Sequence, residues 1–389
     1  MKTEFDAVIV GAGVAGSAAA YALAKRGWEV ALIDKDKFPR HKACGEFLSP
    51  ESLGTLRSLQ LDQAIASLRP AAIRTVRVHA ERGGVSLEIP LRRPAMGLSR
   101  RALDAALQQA ARDEGASVYT GATVAEVSDA GDGFRLVALS DRDGGALLRA
   151  RAVIAAWGRH PLRSRADNDR DESAGKTYMG IKSHYEAFDA DPAVDLYFFR
   201  DGYLGIAPIE GGRLNVAAIV APSAYRRLGA ADALANLLES AAERIPVLRR
   251  RMERAIPLPG TRAAASPVRT SAKPDGWNGM PCIGDAAATI PPFCGDGMAM
   301  ALRSAELCAP LADAYFLGAS TYGQWKADYT REISRQFAGP LRWGGLLGRL
   351  LTRPALAAWL LRAGALLPGA ADKAVKATRL RPWPEEEGG

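Results

Sequence analysis

The chain has 389 residues, of which 48% are hydrophobic and 24% are charged, a balance that excludes disordered and fibrous proteins. Its formal net charge of +8 suits acidic partners, phosphate-bearing ligands or anionic membranes, whereas no zinc-finger spacing or aromatic-interleaved basic stripe supports nucleic-acid binding. Four cysteines are too few for a disulfide framework, and no run approaches the roughly 20 apolar residues of a membrane span, so we expect a cytoplasmic protein without a metal site.

A glycine-rich turn stands between two predicted strands at the start of the chain. Apolar residues 7–10 predict a buried strand, 17–25 a helix, and 30–33 a second strand that ends on Asp34. The turn has the spacing Gly-x-Gly-x-x-Gly and consists of Gly11, Ala12, Gly13, Val14, Ala15 and Gly16. Its glycines permit a tight turn, close approach of the backbone to a pyrophosphate, and packing of helix on strand. With Asp34 placed to accept ribose hydroxyls, the unit predicts a dinucleotide site, for NAD or FAD.

The middle of the chain first mixes helices and strands and then changes its period. The predicted elements are two helices after residue 50, strands at 76–80 and 85–89, a helix at 103–111 and a strand at 147–156. Between 176 and 220 the apolar residues alternate, which predicts antiparallel strands of a second layer. On one of these strands, Tyr178, Lys182 and His184 share a face.

The last third of the chain returns to the first layer. A helix is predicted at 230–245, a strand at 281–283 and a long helix at 297–317. The dinucleotide domain is therefore discontinuous. We predict residues 1–75, 99–175 and 276–318 for this domain, 76–98 and 176–275 for an antiparallel-sheet substrate domain, and 319–389 for a C-terminal helical region.

A second glycine-rich segment distinguishes FAD from NAD. Gly284-Asp285 follows the predicted strand and places a carboxylate at the edge of the sheet. Further on, the chain reads Pro292-Phe293-Cys294-Gly295-Asp296-Gly297-Met298 and enters a helix. Gly295 and Gly297 let backbone amides approach a ligand at that helix start, a site suited to developing negative charge.

These two segments together resemble a flavoprotein superfamily over roughly residues 5–310. It contains para-hydroxybenzoate-hydroxylase-type monooxygenases, flavin-dependent halogenases and geranylgeranyl reductases. The resemblance implies an α/β fold, in which a glutathione-reductase-type Rossmann domain binds FAD and carries an inserted antiparallel-sheet substrate domain. It implies that Asp285 bonds the FAD ribityl chain, that residues 295–298 run beside the isoalloxazine, that Arg100 contacts FAD at a helix start, and that the Val124 backbone meets the adenine.

The predicted cofactor-binding residues follow from the glycine-rich turn with Asp34 and from this resemblance. Its members are Gly11, Gly13, Val14, Ala15, Gly16, Asp34, Lys35, Arg40, Lys42, Cys44, Gly45, Arg100, Val124, Gly158, Gly284, Asp285, Pro292, Gly295, Asp296, Gly297 and Met298. One family feature differs. The usual Asp-Gly after the strand at 147–156 reads Trp157-Gly158 here, which argues against a hydroxylase-style NAD(P)H contact at this point.

The segment Lys42-Ala43-Cys44-Gly45-Glu46 looks like the Lys-x-Cys-Gly segment of geranylgeranyl reductases, in which the cysteine lies near the flavin ring. A thiol there can donate a proton while reduced flavin delivers hydride. The alternative is that Cys44 only packs beside the cofactor. Arg40 and Lys42 are expected to balance its phosphates, and Glu46 is interpreted as a carboxylate at a helix start.

His184 is the second catalytic candidate, and a satisfied sheet histidine is the alternative. Since the family's substrate sheet covers the flavin, the resemblance implies that the aromatic side chains near His184 line an apolar pocket. Those side chains are Tyr178, Tyr197, Phe199 and Tyr203.

The preferred function is the reduction of a C=C bond in a lipophilic small molecule, because the Cys44 segment favours the reductase branch. Monooxygenation of an aromatic or olefinic intermediate is the alternative, and the halogenase Trp-x-Trp-x-Ile-Pro segment is missing. The reductant is expected to be NAD(P)H or a reduced carrier. Two further alternatives are a dehydrogenase fed by an electron-donor protein and a simple NAD dehydrogenase.

The C-terminal stretch 341–367 is rich in leucine and arginine. On a helix, Arg342, Arg349 and Arg353 fall on one side, and Pro354 breaks the helix. The stretch therefore has two interpretations. One is an amphipathic element that contacts a membrane or a lipophilic substrate, and the other is an ordinary helix whose leucines pack on the rest of the protein.

Overall fold

The computed structural model describes residues 2–81, 84–131, 133–140, 145–159, 177–187, 191–200, 202–229 and 232–381, with backbone only at 368, 370 and 371. Two sheets and a set of helices make up this part of the chain. The predicted boundary between 175 and 176 lies outside the described residues. The other predicted domain boundaries stay predictions.

The first sheet carries the glycine-rich turn. Its strands are β1 (Glu4–Val10), β2 (Val30–Asp34), β6 (Ser117–Thr120), β7 (Val124–Asp129), β8 (Arg135–Leu139) and β9 (Leu147–Ala155). Their order is β6-β2-β1-β9-β8-β7. The first four are parallel, and β8 and β7 add an antiparallel edge. Because β1 and β2 are buried on both faces, they read as continuous apolar runs.

The second sheet is mostly antiparallel. Its strands are β3 (Phe47–Leu48), β4 (Ala71–Ala80), β5 (Ser86–Gly97), β10 (Tyr178–Glu186), β11 (Ala193–Phe199), β12 (Gly202–Ile209), β13 (Arg213–Val220), β14 (Ile256–Pro257) and β15 (Ala263–Val268). The order is β14-β10-β13-β12-β11-β4-β5-β3, and β15 pairs with β10. Only the β11–β4 pair is parallel among these described strands.

The helices surround the two sheets. They are α1 (Val14–Ala24), α2 (Glu51–Ser58), α3 (Asp62–Ala66), α4 (Arg100–Asp113), α5 (Pro222–Leu228), α6 (Ala233–Arg244), α7 (Pro246–Met252), α8 (Gly297–Phe316), α9 (Tyr322–Leu351), α10 (Pro354–Leu366) and α11 (Pro368–Ala377). Every residue of α1 is buried. Its many alanines let α4 and α8 pack closely against it. None of the described helices is long and apolar enough to cross a membrane.

The predicted fold class is confirmed: an α/β dinucleotide domain, a second antiparallel sheet and a C-terminal helical region are all present. Two details differ. The predicted strand at 281–283 forms only single bridges, since Pro281 has no N–H and Gly284 turns the chain with a φ of 64°. The predicted helix at 230–245 is α6, and residues 230 and 231 lie outside the described part.

The prediction that four aromatic side chains line one pocket is wrong for two of them. Tyr197 and Phe199 pack into the apolar core beneath α6, and Tyr197 stacks on His79. The reason is the period of a strand, because successive side chains point to opposite faces. On β11 the cavity receives Val194 and Leu196, so residues of odd number face away.

Candidate functional site

The glycine turn between β1 and α1 is tightly packed against the end of β9. A Cβ on Gly16 would lie 1.8 Å from the Gly11 carbonyl oxygen, and one on Gly11 would lie 2.2 Å from that of Ala156. Gly11 also has a φ of 112°. Gly13 differs, because its Cβ would meet only the Arg100 guanidinium, at 3.4 Å. The first and third glycines are therefore required by the fold, and the second leaves backbone open toward a ligand.

Asp34 stands where the sequence predicts it, at the end of β2 beside this turn. Its Oδ2 accepts a hydrogen bond from the Ala12 amide at 2.8 Å. Arg40 lies 3.8 Å from the same carboxylate and 3.2 Å from Asp36, whereas Lys35 is exposed. Asp34 thus also orders the glycine turn, in addition to the ribose contact that we predict for it.

A cavity of about 200 Å³ opens between the two sheets. Most of the predicted cofactor-binding residues line it. They are Gly13, Val14, Ala15, Lys42, Cys44, Gly45, Arg100, Gly158, Gly284, Asp285, Pro292, Gly295, Gly297 and Met298. The opposite wall is apolar and comes from the second sheet, from α8 and from the turns before it. It includes Val76, Val194, Leu196, Tyr203, Ile219 and Phe293. Segments that are far apart in the chain therefore meet at this cavity, as the glycine-rich turn and the resemblance together predict.

Positive charge concentrates on one side of this cavity. Arg100 begins α4 and holds Asp104 with two hydrogen bonds of 2.8 and 2.9 Å. Burial opposes the charge of Arg100, but Asp104 and the Cys44 thiol more than offset this and raise its pKa. Lys42 lies nearby, and burial together with Arg100 and Arg40 lowers its pKa to about 8. A pyrophosphate is a fitting counterion for this pair of cations.

Asp285 follows the Gly284 turn and faces the cavity, and Arg159 donates a 3.0 Å hydrogen bond to its Oδ2. Sequence reasoning missed Arg159, although it follows Trp157-Gly158 directly. Around Gly295, whose φ is 77°, the ring of Phe47 packs so closely that a Cβ would lie 2.9 Å from it. A side chain at Gly295 would therefore require the Phe47 ring to move.

Eight of the predicted site residues lie outside the cavity wall, namely Gly11, Gly16, Asp34 and Arg40, described above, and Lys35, Val124, Asp296 and His184. Val124 is buried at the start of β7, and Lys35 is on the surface. Asp296 is fully buried, and its Oδ1 accepts a 2.7 Å hydrogen bond from Arg379. Burial and the neighbouring Glu51 raise the pKa of Asp296 to about 6 against the effect of Arg379. His184 lies behind the wall and contacts Glu46.

Glu46 is not among the predicted site residues, although the structure gives it a central position. Its side chain is fully buried, and its φ of 55° lies in the left-handed region that a glutamate rarely adopts. One carboxylate oxygen lies 2.9 Å from Lys182 Nζ, and the other lies 2.6 Å from His184 Nε2. The carboxylate also accepts from the Arg100 amide at 3.0 Å. Glu46 is indeed a helix-start carboxylate, for α4, and it also ties the Cys44 segment to β10.

Cys44 itself is half-buried in the cavity wall. Its sulfur accepts from the Glu46 amide at 3.4 Å, and its carbonyl accepts from Asn215 Nδ2 at 3.0 Å. The other three cysteines are buried. Cys294 also lines the cavity but is buried, so Cys44 is the more exposed of the two cysteines in the wall.

A larger cavity of about 1430 Å³ continues from the first one. The two share Tyr203, Ile219, Val268, Pro292 and Phe293. Tyr178 lines the outer cavity, so two of the four predicted aromatics face cavities. The basic side chains around it are Arg200, Arg269, Lys273, Arg342, Arg349 and Arg353.

The sheet order, the glycine turn and the second glycine segment define a dinucleotide-binding oxidoreductase. The chain belongs to the family described as "FAD binding domain", whose model matches residues 4–320. It is 29% identical to a menaquinone reductase of Mycolicibacterium smegmatis, and the match covers 91% of this chain and 86% of that protein. It is 30% identical to digeranylgeranylglycerophospholipid reductase 2 of Methanopyrus kandleri, over 79% and 77% of the two chains. The chain is thus an FAD-dependent oxidoreductase, and the predicted family is confirmed.

Solved structures show the same fold. The flavin-dependent brominase Bmp2 superposes with a TM-score of 0.75 at 19% identity, over 97% of this chain and 93% of that one. A variant of halogenase PltM in complex with FAD gives a TM-score of 0.72 at 18% identity, over 90% and 75%.

The described residues fit FAD. The N-terminus of α1 has no side-chain cap, so its amides can bind phosphate, and Gly13 leaves the approach open. Lys42 and Arg100 stand beside this turn, and Asp285 faces the cavity. When bound and reduced, FAD supplies an electron pair to a substrate lying against it.

Proposed function

We propose that this enzyme reduces a C=C bond in the polyprenyl part of a lipid. The observation that carries the proposal is the position of Cys44, whose thiol stands in the cavity wall between the glycine turn and an apolar strand face. The reductase relatives support it, because menaquinone and a digeranylgeranyl lipid both contain polyprenyl chains. An apolar wall suits such a chain.

In this proposal Cys44 donates the proton that completes the saturation of the double bond. Its Sγ–H bond breaks, the proton goes to the substrate carbon, and a thiolate remains. The Arg100 guanidinium lies beside the thiol and stabilises that negative charge. Asn215 holds the Cys44 backbone against β13 and thereby fixes the direction of the side chain.

The product of a single turnover tests this function. FAD-loaded enzyme is reduced without oxygen by NADPH, NADH or dithionite, and mixed with menaquinone carrying a short prenyl chain or with a digeranylgeranylglycerol phospholipid. We expect one of the two lipids to gain two hydrogens, measured by mass spectrometry. Bleaching of the flavin absorbance identifies the reductant, and oxidised enzyme serves as the control. A lipid that gains an oxygen atom when air is admitted would instead identify a monooxygenase, and two unchanged lipids would contradict the proposal.

We also propose that the outer face of α9 and α10 rests on an anionic membrane surface. Trp343 and Leu346 on α9 are 48% and 46% exposed, and Trp359 and Leu366 on α10 are 65% and 80% exposed. No acidic residue occurs between Glu332 and Asp372, whereas this stretch contains Arg335, Arg342, Arg349, Arg353 and Arg362. Exposed tryptophan, leucine and arginine on one helix are typical of an interfacial helix.

The same helices cover the cavities, which connects the membrane with the substrate. Ala357 and Leu361 of α10 pack on Tyr203 and Phe198, and Gly348 of α9 packs on Phe293. The outer cavity, lined by Arg342 and Arg349 of α9, thus opens beside the proposed contact. A lipid could then pass from the membrane into the outer cavity without entering the aqueous phase.

Vesicle co-sedimentation measures this contact. We expect the FAD-loaded protein to bind vesicles of phosphatidylcholine with phosphatidylglycerol, and binding to fall at least about fivefold in a Trp359→Ser/Leu366→Ser variant, because both side chains bury apolar surface in the bilayer. Leu317→Ser is the matched control, since Leu317 is 67% exposed after α8. The proposal would be contradicted if the Trp359→Ser/Leu366→Ser variant and the Leu317→Ser variant bound the vesicles equally. It would also be contradicted if the wild-type protein did not bind them.

A further inference from the structure

Three titratable groups form a closed triangle behind the cavity wall. Lys182 Nζ lies 2.9 Å from a Glu46 carboxylate oxygen and 2.7 Å from His184 Nε2. His184 Nε2 lies 2.6 Å from the other carboxylate oxygen. All three side chains are 0 to 1% exposed. Such a buried cluster is costly unless each contact is a hydrogen bond.

The donors and acceptors of this triangle cannot all be satisfied at once. An imidazole Nε2 carries either one hydrogen or one lone pair, so it can bond with only one of its two close neighbours. If Nε2 carries the hydrogen, it donates to Glu46, and the contact with an ammonium group brings two donors together. If Lys182 donates to Nε2, two acceptors face each other at 2.6 Å. No single placement of the protons therefore makes both contacts of Nε2 hydrogen bonds, which favours a proton that can move between the groups.

Two further observations support a mobile proton here. His184 Nδ1 is buried and has no hydrogen-bond partner among the described residues, so neither tautomer of the ring is favoured by a bond on that side. The strained φ of Glu46 shows that the fold holds this carboxylate against a local preference, which is typical of functional positions.

His41 connects the triangle with the outside. Its Nδ1 lies 3.4 Å from Lys182 Nζ, and its ring meets that of His184 at 5.1 Å. His41 is half-buried. Burial, and then the charges of Lys182 and His184, lower its pKa to about 4. His41 is thus neutral at neutral pH, with one nitrogen to accept a proton and one to donate it.

We propose that Glu46, Lys182 and His184 form a proton-holding centre that restores the proton of Cys44 after each turnover, and that His41 refills this centre from solvent. The proposal rests on the proposed function for the turnover itself. The thiolate left by proton donation takes a proton from the centre, and the centre takes one from water through His41, so no other reactant is needed. The three residues act through Cys44 and are positioning residues.

Two contacts link the centre with the Cys44 segment. The Glu46 amide contacts the Cys44 sulfur, and Asn215, which is opposite His184 in the β10–β13 register, holds the Cys44 carbonyl. The charged or titratable groups that face Cys44 are Arg100 from α4, Lys42 and Glu46 from its own segment, and Tyr203 from β12. The proposal therefore predicts that a change of charge in the centre alters the reactivity of the thiol.

The rate at which iodoacetamide alkylates Cys44 reports on this coupling without any substrate. In FAD-loaded protein, the rate is measured by mass spectrometry between about pH 5 and 10, since only the thiolate reacts. Glu46→Gln removes a negative charge and should lower the pH midpoint by about one unit, whereas Lys182→Met removes a positive charge and should raise it by about one unit. The Glu46→Gln/Lys182→Met double variant should return to the wild-type midpoint.

A purely structural role predicts a different result. Shifts in the same direction, or midpoints equal to that of wild type, would overturn the proposal. The control is Glu81→Gln, which removes a carboxylate that follows β4 and pairs with Arg244 of α6. If a single variant does not fold, the neutral double variant and Lys182→Gln still give midpoints to compare.

The refilling role of His41 has its own readout. His41→Ala should leave the alkylation midpoint unchanged and slow repeated turnover of menaquinone at least about tenfold, with recovery on addition of imidazole. Slow turnover that imidazole does not restore would contradict this role. If wild type reduces neither menaquinone nor the digeranylgeranyl lipid while the opposite midpoint shifts are present, the proposed function fails and the proton-holding centre stands.

Discussion

Gly16→Ala is expected to prevent the chain from accumulating as folded protein, whereas Gly13→Ala leaves it folded and weakens the binding of FAD. The added Cβ at Gly16 would overlap the Gly11 carbonyl oxygen at 1.8 Å, and this contact is with backbone, which cannot rotate aside as a side chain can. Such an overlap in a packed core costs at least about 3 kcal/mol. At Gly13 the same Cβ meets only a guanidinium, at 3.4 Å, but it occupies the path to the pyrophosphate.

Thermal unfolding of the apoprotein and the FAD content after reconstitution separate the two effects. We expect Gly13→Ala to unfold at the wild-type temperature and to retain less than about a tenth of the FAD affinity, a loss of about 1.4 kcal/mol. Gly339→Ala is the control, since Gly339 is exposed inside α9 and its Cβ would meet nothing within 4 Å. A Gly13→Ala variant that binds FAD like wild type would contradict the conclusion that Gly13 leaves the backbone open toward the pyrophosphate.

Cys44→Ala is expected to slow oxidation of the reduced flavin by menaquinone at least about 100-fold, because general-acid catalysis contributes factors of about 100 to 10,000. The reduction of the flavin by its donor should not change, since it does not require the thiol. Anaerobic stopped-flow measurement of the flavin absorbance follows the two half-reactions separately.

Cys308→Ala provides the matched control, because it removes a buried thiol from α8 far from the cavity wall. We expect it to lower stability by about 1 kcal/mol and to leave both half-reactions unchanged. If Cys44→Ala oxidises its flavin at the wild-type rate, the cysteine only packs beside the cofactor, and the proton must come from another group.

The features that sequence reasoning predicted are those set by neighbours in the chain. The spacing of Gly11, Gly13 and Gly16 is a local requirement of one turn, so it can be recognised in the sequence without a structure. The alternation along β10 predicted that Lys182 and His184 share a face, and both side chains reach Glu46 from that face. Tyr197 and Phe199 obey the same rule, which places them on the opposite face, in the core.

The features that sequence reasoning missed depend on contacts between distant residues. Arg379, near the end of the described chain, reaches back 83 residues to Asp296 and also lines the cavity. No local pattern marks such an arginine, because its role comes from the packing of α11 and its neighbours near α8. Arg159 could have been found from its place next to Gly158.

By itself, the sequence determined the cofactor class. Short-range spacing creates the FAD cradle, and strand and helix periods place it in an α/β sheet. Only the tertiary structure decided what surrounds Cys44. Glu46 lies 136 residues from Lys182 and 138 from His184 in the chain, and folding alone brings them within hydrogen-bond distance. Burial then makes these three ordinary side chains into a strongly coupled proton-holding centre, because charges interact more strongly away from water.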